Sequence, residues 1–166
     1  DFCGLIEDRD TRIFGVIGDP IAQSKSPLIH NAAYRKLGLN AVYIPLRIPA
    51  DMLMESLKEL ERLGIEGFSV TIPHKEAVLQ FASQIDEDTD LMGAANTLVR
   101  REGQWQATNT DAPAAIESIR NALQKAGGLP DLVGRKILML GCGGVARAIG
   151  HALIRGGAAV TLTNRS

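Results

Sequence analysis

The chain is defined first by what it has little of. Two of its 166 residues are cysteines, at positions 3 and 142, far apart and without metal-ligand spacing. A disulfide framework is therefore not expected, and a reducing compartment, the cytoplasm, fits best. The 18 basic residues nearly cancel the 19 acidic ones, leaving a net charge of −1. No basic field exists to hold nucleic acid or an anionic membrane, so neither is expected as a partner. Nowhere do about 18 apolar residues run together, and the N-terminus has no charged-then-apolar leader, so no segment is expected to span or cross a membrane. His30, His74 and His151 also lack metal spacing. Each is expected to be structural or on the surface, and no metal is expected. There is no repeat of fixed period and no low-complexity tract. The chain begins at Asp1 rather than Met, which suggests a processed or excised piece.

What is present is ordinary globular composition, 45% apolar and 22% charged, enough for one sound core or two small ones. Strand and helix patterns alternate. "RIFGVIG" (12 to 18) reads as a buried strand closed by Gly18, Asp19 and Pro20. A helix follows from Pro27 to Leu37, with Ser26 as its cap and Gly38 as its stop. "AVYIPLRI" (41 to 48) is a second strand whose Pro45 points to a sheet edge, which weakly opposes extension of the sheet there; the oligomeric state is otherwise not legible. Residues 50 to 64 form an amphipathic helix with Leu53, Leu57, Leu60 and Leu63 on one face. Phe68, Val70 and Ile72 alternate as a strand over 67 to 72, and a helical stretch is expected over about 75 to 83. Two short strands flank Glu102 and Gly103, and a helix runs from 111 to 128. This alternation implies an α/β fold with a mostly parallel sheet.

The organisation changes near residue 128. After the loop "GGLPDLVG", the stretch from Lys136 reads strand, glycine turn, helix, strand, with Gly141, Gly143 and Ala146 in a G-x-G-x-x-A dinucleotide fingerprint. Glycines let the backbone approach a pyrophosphate, and the helix N-terminus offers its N–H groups to the anion. NAD binders place an acid about 20 residues on; here stand Asn164, Arg165 and Ser166. An arginine there suits a 2′-phosphate and an acid would repel it, so NADP is preferred over NAD. Two strands make only the opening βαβ unit of a doubly wound domain.

Two other stretches carry candidate chemistry. "GDPIAQSKSPLIH" places the hydroxyls of Ser24 and Ser26 just before a helix start, an arrangement that suits a carboxylate, although both residues also make sense as turn and cap. "SVTIPHK" ends a buried strand with Lys75. Taken alone, such a lysine is a solvated loop cation.

The blocks "GVIGDPIAQSKSPLIHNAAY", "FSVTIPHK", "GAANTL", "NTD" and "GCGGVARA", in this order, resemble the shikimate dehydrogenase family over residues 12 to 166. The resemblance implies NADP-dependent, reversible reduction of 3-dehydroshikimate to shikimate. Ser24 and Ser26 would bind the substrate carboxylate, and Thr71, Asn96 and Asp111 would bond the ring hydroxyls. Lys75 would pair with Asp111 and protonate the carbonyl oxygen as it gains charge. Gly141, Gly143, Gly144, Val145 and Ala146, with Asn164, Arg165 and Ser166, would hold NADP. The implied plan is a leader or inter-domain junction over 1 to 11 and a three-layer substrate domain over 12 to 112. A linking helix over 113 to 128 then leads into a truncated Rossmann-like NADP domain over 129 to 166. The leader is similar to the junction that follows a type I dehydroquinase in bifunctional chains. The sequence departs from the family at Gln23 (usually His), at Ala112 and Pro113 (usually Gly), and at Ser69, where an Asn is usual among the substrate contacts. A hydroxyl has fewer hydrogen-bonding groups and a shorter reach than an amide. The Ser69 contact is thus lost, mediated by water, or changed toward a related substrate such as quinate. Quinate dehydrogenase, methylenetetrahydrofolate dehydrogenase and a non-catalytic metabolite sensor remain alternatives.

Overall fold

The computed structural model describes residues 10–164. They divide into two compact units: one contains residues up to Asp86 together with Ala95–Thr108, the other Glu87–Ala94 together with Asn109 onward.

In the first unit, β1 (Arg12–Gly18) leads through α1 (Ser26–Leu37) to β2 (Ala41–Arg47). A single 3-10 turn and α2 (Leu53–Arg62) then lead to β3 (Ile65–Val70), and β4 (Gln84–Ile85), β5 (Thr97–Arg101) and β6 (Gln104–Thr108) complete the sheet. Its six strands lie in the order β2-β1-β3-β5-β6-β4. The β1 strand is parallel to β2 and β3, and β4 is parallel to β6. Only β5 runs antiparallel to its neighbours. Mostly parallel order follows from joining β1, β2 and β3 through helical crossovers, and the antiparallel pair is a hairpin closed by Glu102 and Gly103, both at positive φ. As Pro45 implied, β2 is an edge strand.

Neighbouring residues of a strand face opposite sides of the sheet, and here they enter different cores. Ile17 joins Leu53, Leu57, Phe68, Val70, Leu98 and Trp105, whereas Val16 joins Tyr43, Ile21, Phe14 and Tyr34. The α2 helix covers the first face and α1 the second, which makes three layers. Leu57 is completely buried, and its truncation to alanine should cost about 2–5 kcal/mol.

Four local expectations are corrected. Leu63 does not join the buried face: α2 ends at Arg62, the Leu63 N–H closes on the Glu59 carbonyl, and Gly64 at φ +81° turns the chain away, leaving Leu63 71% exposed. The third strand begins at Ile65 and stops at Val70; Ile72 is also 71% exposed, because it precedes Pro73, which has no N–H for a ladder. The helix expected over 75 to 83 shrinks to one 3-10 turn, Ala77–Gln80, because the Ser83 N–H is already bonded to the Trp105 carbonyl and β4 starts at Gln84. Ser26 is not a cap but the first residue of α1, as described below.

The second unit holds α3 (Glu87–Met92), α4 (Asp111–Lys125), β7 (Lys136–Leu140), α5 (Gly144–Arg155) and β8 (Ala159–Thr163). The β7 and β8 strands pair in parallel around α5, the expected βαβ unit. Leu132, Leu153 and Ala158 are its buried centre, packed by Ile116, Ile119 and Leu123 of α4 and by Ile137 and Met139 of β7. Met92 of α3 packs with Ala112 and Ala148, and Arg155 is ion-paired to Asp88. Among the described residues, no helix is long and apolar enough to cross a membrane.

Candidate active site

The strand order places a switch point between β1 and β3. From β1 the chain crosses to β2 on one side and then to β3 on the other. Open α/β sheets bind ligands in the crevice that such a reversal opens at the carboxyl ends of the strands. Gly18 ends β1 there, and Thr71 follows β3. A methyl group on Gly18 would come within 2.4 Å of Thr71 Cγ2 and 3.0 Å of the Ile72 carbonyl oxygen, so glycine is what lets the two strand ends meet. The Thr71 N–H bonds the Ile17 carbonyl at 3.0 Å and the Asp19 N–H bonds that of Ile72 at 2.9 Å. Both strands leave the crevice through cis prolyl bonds, Asp19-Pro20 and Ile72-Pro73. Arg47, at the end of β2, is tied to Asp19 at 2.7 Å, and this carboxylate holds the guanidinium pKa above its usual value.

The serines lie where the chain passes from β1 into α1, Ser24 just before the helix and Ser26 as its first residue. Lys25 occupies the cap position of α1 and makes no side-chain cap bond; Ser24 Oγ instead accepts the Ser26 N–H at 3.3 Å. A hydroxyl used as an acceptor keeps its proton to donate. Ser26, His30 and Tyr34 share one stripe of α1 at spacings of four. His30 stacks on Tyr43 with ring centroids 4.2 Å apart, and the Tyr43 hydroxyl donates to Ser69 Oγ at 2.6 Å. Ser69 is thus on the α1 face of β3. His30, Tyr43 and Ser69 are therefore joined on this face of the sheet by a ring stack and a hydrogen bond. Asn31 clamps the Tyr43 backbone: its Nδ2 donates to the Tyr43 carbonyl and its Oδ1 accepts the Tyr43 N–H, each at 2.8 Å. Burial raises the Tyr43 pKa, against the lowering effect of the bond to Ser69, so the phenol stays neutral at physiological pH.

Lys75 is placed by its neighbour. His74 is 1% exposed, its Nε2 donates to the Ile48 carbonyl at 2.8 Å, and its N–H bonds the Thr71 carbonyl at 2.9 Å. The Lys75 carbonyl then accepts the Ala95 N–H at 2.8 Å. Half-buried Lys75 is therefore pinned on both sides rather than riding on a loose loop. Next to Ala95, Asn96 bridges β3 and β6: its carbonyl takes the Val70 N–H and its N–H bonds the Thr108 carbonyl. Thr97 Oγ1 donates to Asn96 Oδ1 at 2.8 Å, which fixes the amide.

In the second unit Asp111 opens α4. Its N–H is held by Asn109 Oδ1 at 2.9 Å, and Asn109 in turn donates to the Ala94 carbonyl at 2.8 Å. The glycine turn lies between β7 and α5. Gly141 has φ +110°, a conformation that only glycine adopts without strain, and its N–H bonds the Thr163 carbonyl at 2.8 Å. Gly143 is the N-cap of α5, and a methyl group added there would meet no described atom within 4 Å. The N–H groups of the first helical turn, from Gly144, Val145 and Ala146, have no partner inside the helix. A glycine turn, an open approach at Gly143 and a helix N-terminus together fit a pyrophosphate. Asn164 is exposed after β8, while Arg165 and Ser166 lie outside the described residues. Among the described residues no three His, Cys, Asp or Glu side chains gather as metal ligands.

A sequence profile described as the shikimate dehydrogenase substrate binding domain matches residues 16–98, the stretch that builds this crevice. The chain belongs to the shikimate dehydrogenase family. It is 44% identical over 156 residues to the shikimate dehydrogenase (NADP(+)) of Shouchella clausii, a match covering 94% of this chain and 55% of that enzyme. The crystal structure of shikimate dehydrogenase from Aquifex aeolicus superposes with a TM-score of 0.89 at 33% identity, over 96% of this chain and 58% of that one. The ligand-free 5-ketofructose reductase of a Gluconobacter strain gives a TM-score of 0.83 at 31% identity, over 96% and 55%. The chain spans about half the length of the relatives it matches.

Within this member of the shikimate dehydrogenase family, the unusual residues have identifiable settings. Gln23 is exposed and bonds the Pro20 carbonyl at 3.3 Å. Ala112 is 2% exposed against Met92 and Ala148, so its methyl group fills a core where glycine would leave space. Ser69 is engaged by Tyr43. The sequence reading missed Tyr43, Asn31 and the anchoring role of His74. The available signal was an aromatic on the inward face of an edge strand and a histidine flanked by proline and lysine, both of which read equally well as plain core.

Proposed function

We propose that this chain carries the substrate-binding part and the opening of the cofactor-binding part of an NADP-dependent oxidoreductase that reversibly reduces 3-dehydroshikimate to shikimate. One observation carries the reading: the ends of β1 and β3 meet at Gly18 and Thr71, where an α/β sheet opens its ligand crevice, and Ser24, Ser26, Ser69 and the backbone-pinned Lys75 all belong to β3 or to the segments that leave these two strand ends. The names of the relatives, shikimate dehydrogenase (NADP(+)) among them, supply the substrate and cofactor.

In this mechanism Ser24 and Ser26 donate their hydroxyls to the substrate carboxylate, assisted by the N-terminus of α1. Thr71, Asn96 and Asp111 hold the ring hydroxyls. Lys75 would donate a proton to the carbonyl oxygen as negative charge builds there, and the family resemblance gives Asp111 the role of orienting the ammonium. Bound NADP would supply or accept the hydride. Gly141, Gly143, Gly144, Val145 and Ala146 would hold its pyrophosphate, and Asn164, Arg165 and Ser166 its 2′-phosphate. We place the protein in the cytoplasm, on the strength of the exposed Cys142 thiol, which a reducing compartment preserves.

The test is NADPH oxidation by the full-length protein with 3-dehydroshikimate, with NADH run beside it. Turnover with NADPH well above that with NADH is expected. No turnover with either, in protein that still binds shikimate, would transfer the reading to a metabolite sensor. Because a serine stands at position 69, quinate is the competing substrate, and kcat/KM for shikimate should exceed that for quinate.

A further inference from the structure

Position 69 is one of the places where the sequence departs from the pattern that the resemblance implies, and in the structure its side chain has a partner. The Ser69 Oγ lies 2.6 Å from a tyrosine hydroxyl that comes from a strand two places away in the sheet. That tyrosine is 4% exposed, clamped through its backbone by both ends of the Asn31 amide, and stacked on His30 one helical turn from Ser26. A single surface hydrogen bond would not need such support.

We propose that Tyr43 is a positioning residue for substrate binding: by donating to Ser69 Oγ, it orients the Ser69 hydroxyl so that its proton is directed at an oxygen of the bound polyhydroxy carboxylate. An asparagine at this position offers a donor and an acceptor at once. A serine offers one proton and can turn it in several directions. Once the Tyr43 proton occupies a lone pair of Oγ, the serine proton has to point elsewhere, where a ligand oxygen can take it. The pair therefore does in two side chains part of what one amide does, with the sense of the hydrogen bond fixed. Ligands that present an acceptor oxygen to position 69 are favoured. The assignment rests on the shikimate reading above, since it takes Ser69 as a substrate contact.

Four versions of the full-length protein test it: wild type, Tyr43→Phe, Ser69→Ala and the double variant, each measured for shikimate affinity by calorimetry and for turnover on shikimate. Tyr43→Phe should weaken shikimate by about 3- to 10-fold, the worth of one hydrogen bond. The loss should fall on KM, with kcat changed less than about 3-fold. Ser69→Ala should show the same loss, and Tyr43→Phe should add nothing in the Ser69→Ala background. Losses that multiply in the double variant, or an unchanged shikimate affinity in Tyr43→Phe, would reduce Tyr43 to a core residue and overturn the proposal. If Tyr43→Phe does not fold, Ser69→Ala alone decides: unchanged affinity overturns the proposal. Wild-type protein that binds no shikimate would bring down the functional reading itself, an outcome distinct from the others.

Discussion

The two units use the same feature of an α/β fold, the carboxyl end of a parallel strand, in different chemical ways. In the first, recognition is expected from side chains, and their settings are fixed by neighbours: Ser24 by the Ser26 N–H, Ser69 by Tyr43, Asn96 by Thr97, and the backbone of Lys75 by the bonds around His74. In the second it is expected from the peptide itself, through Gly141 at φ +110°, the bare Gly143 and the first N–H groups of α5. A crevice built from side chains can change its ligand by exchanging one residue and its supporter. A cradle built from backbone reads only charge and shape, and it tolerates almost no side chain at all. Substitutions should therefore fail differently in the two units.

The largest effect is expected at Lys75. In the full-length protein Lys75→Ala should lower kcat by about 10²- to 10⁴-fold, the usual share of a positioned acid or base, with shikimate affinity reduced far less. Turnover within a factor of a few of wild type would remove Lys75 from the mechanism. In the second unit the contrast is between two glycines. Gly141→Ala forces a side chain into a backbone conformation reserved for glycine, so it should cost about 1–3 kcal/mol of stability and most of the NADPH affinity. Gly143→Ala meets no described neighbour, so thermal stability should be unchanged while NADPH binding weakens by about tenfold, one lost close approach. Equal melting temperatures for the two variants would show that φ at Gly141 is not the constraint. A smaller loss is expected at the serines: Ser24→Ala or Ser26→Ala should raise KM for shikimate by about tenfold, a charge-assisted hydrogen bond each, with kcat nearly unchanged.

Where the sequence was readable follows from the same contrast. The glycine turn could be read because its requirement is local: strand, positive-φ glycine and helix occur within a dozen consecutive residues. The strand and helix alternation was legible for the same reason, and Pro45 announced the edge. The first unit's crevice was legible only as a resemblance, since nothing near Lys75 in the chain says that the buried His74 ties that turn to Ile48, 26 positions away. Tyr43 and Ser69, likewise 26 positions apart, meet only because β1 lies between their strands and sets both registers. Element ends failed where a tertiary partner intervened. The run through Leu63 and the helix expected over 75 to 83 both fit periodicity, but the first was cut by a left-handed glycine and the second by the pull of the β4 and β6 pairing. Short α3, made of acidic and polar residues, gave no periodic signal at all.

The smallest expected effect reports on the first unit alone, since both tyrosines of the chain, Tyr34 and Tyr43, belong to it. Burial raises the pKa of each above the usual 10.0, opposed at Tyr43 by Ser69 and at Tyr34 by Arg12. A raised value means that the folded chain keeps a proton which the unfolded chain has already released above pH 10. The slope of stability with pH is then negative in that window. The contribution is complete below the ordinary tyrosine value and is lost as pH rises through the raised one. Tyrosinate absorbance of the native protein should therefore develop at higher pH than in denaturant, and the alkaline fall in melting temperature should be shallower in Tyr43→Phe than in wild type. Lysines titrate in the same range in both units, which is why the difference between wild type and variant, rather than either curve, carries the information. If native and denatured tyrosinate curves coincide, the phenol is not held as a buried donor, and the link between Tyr43 and Ser69 loses its support.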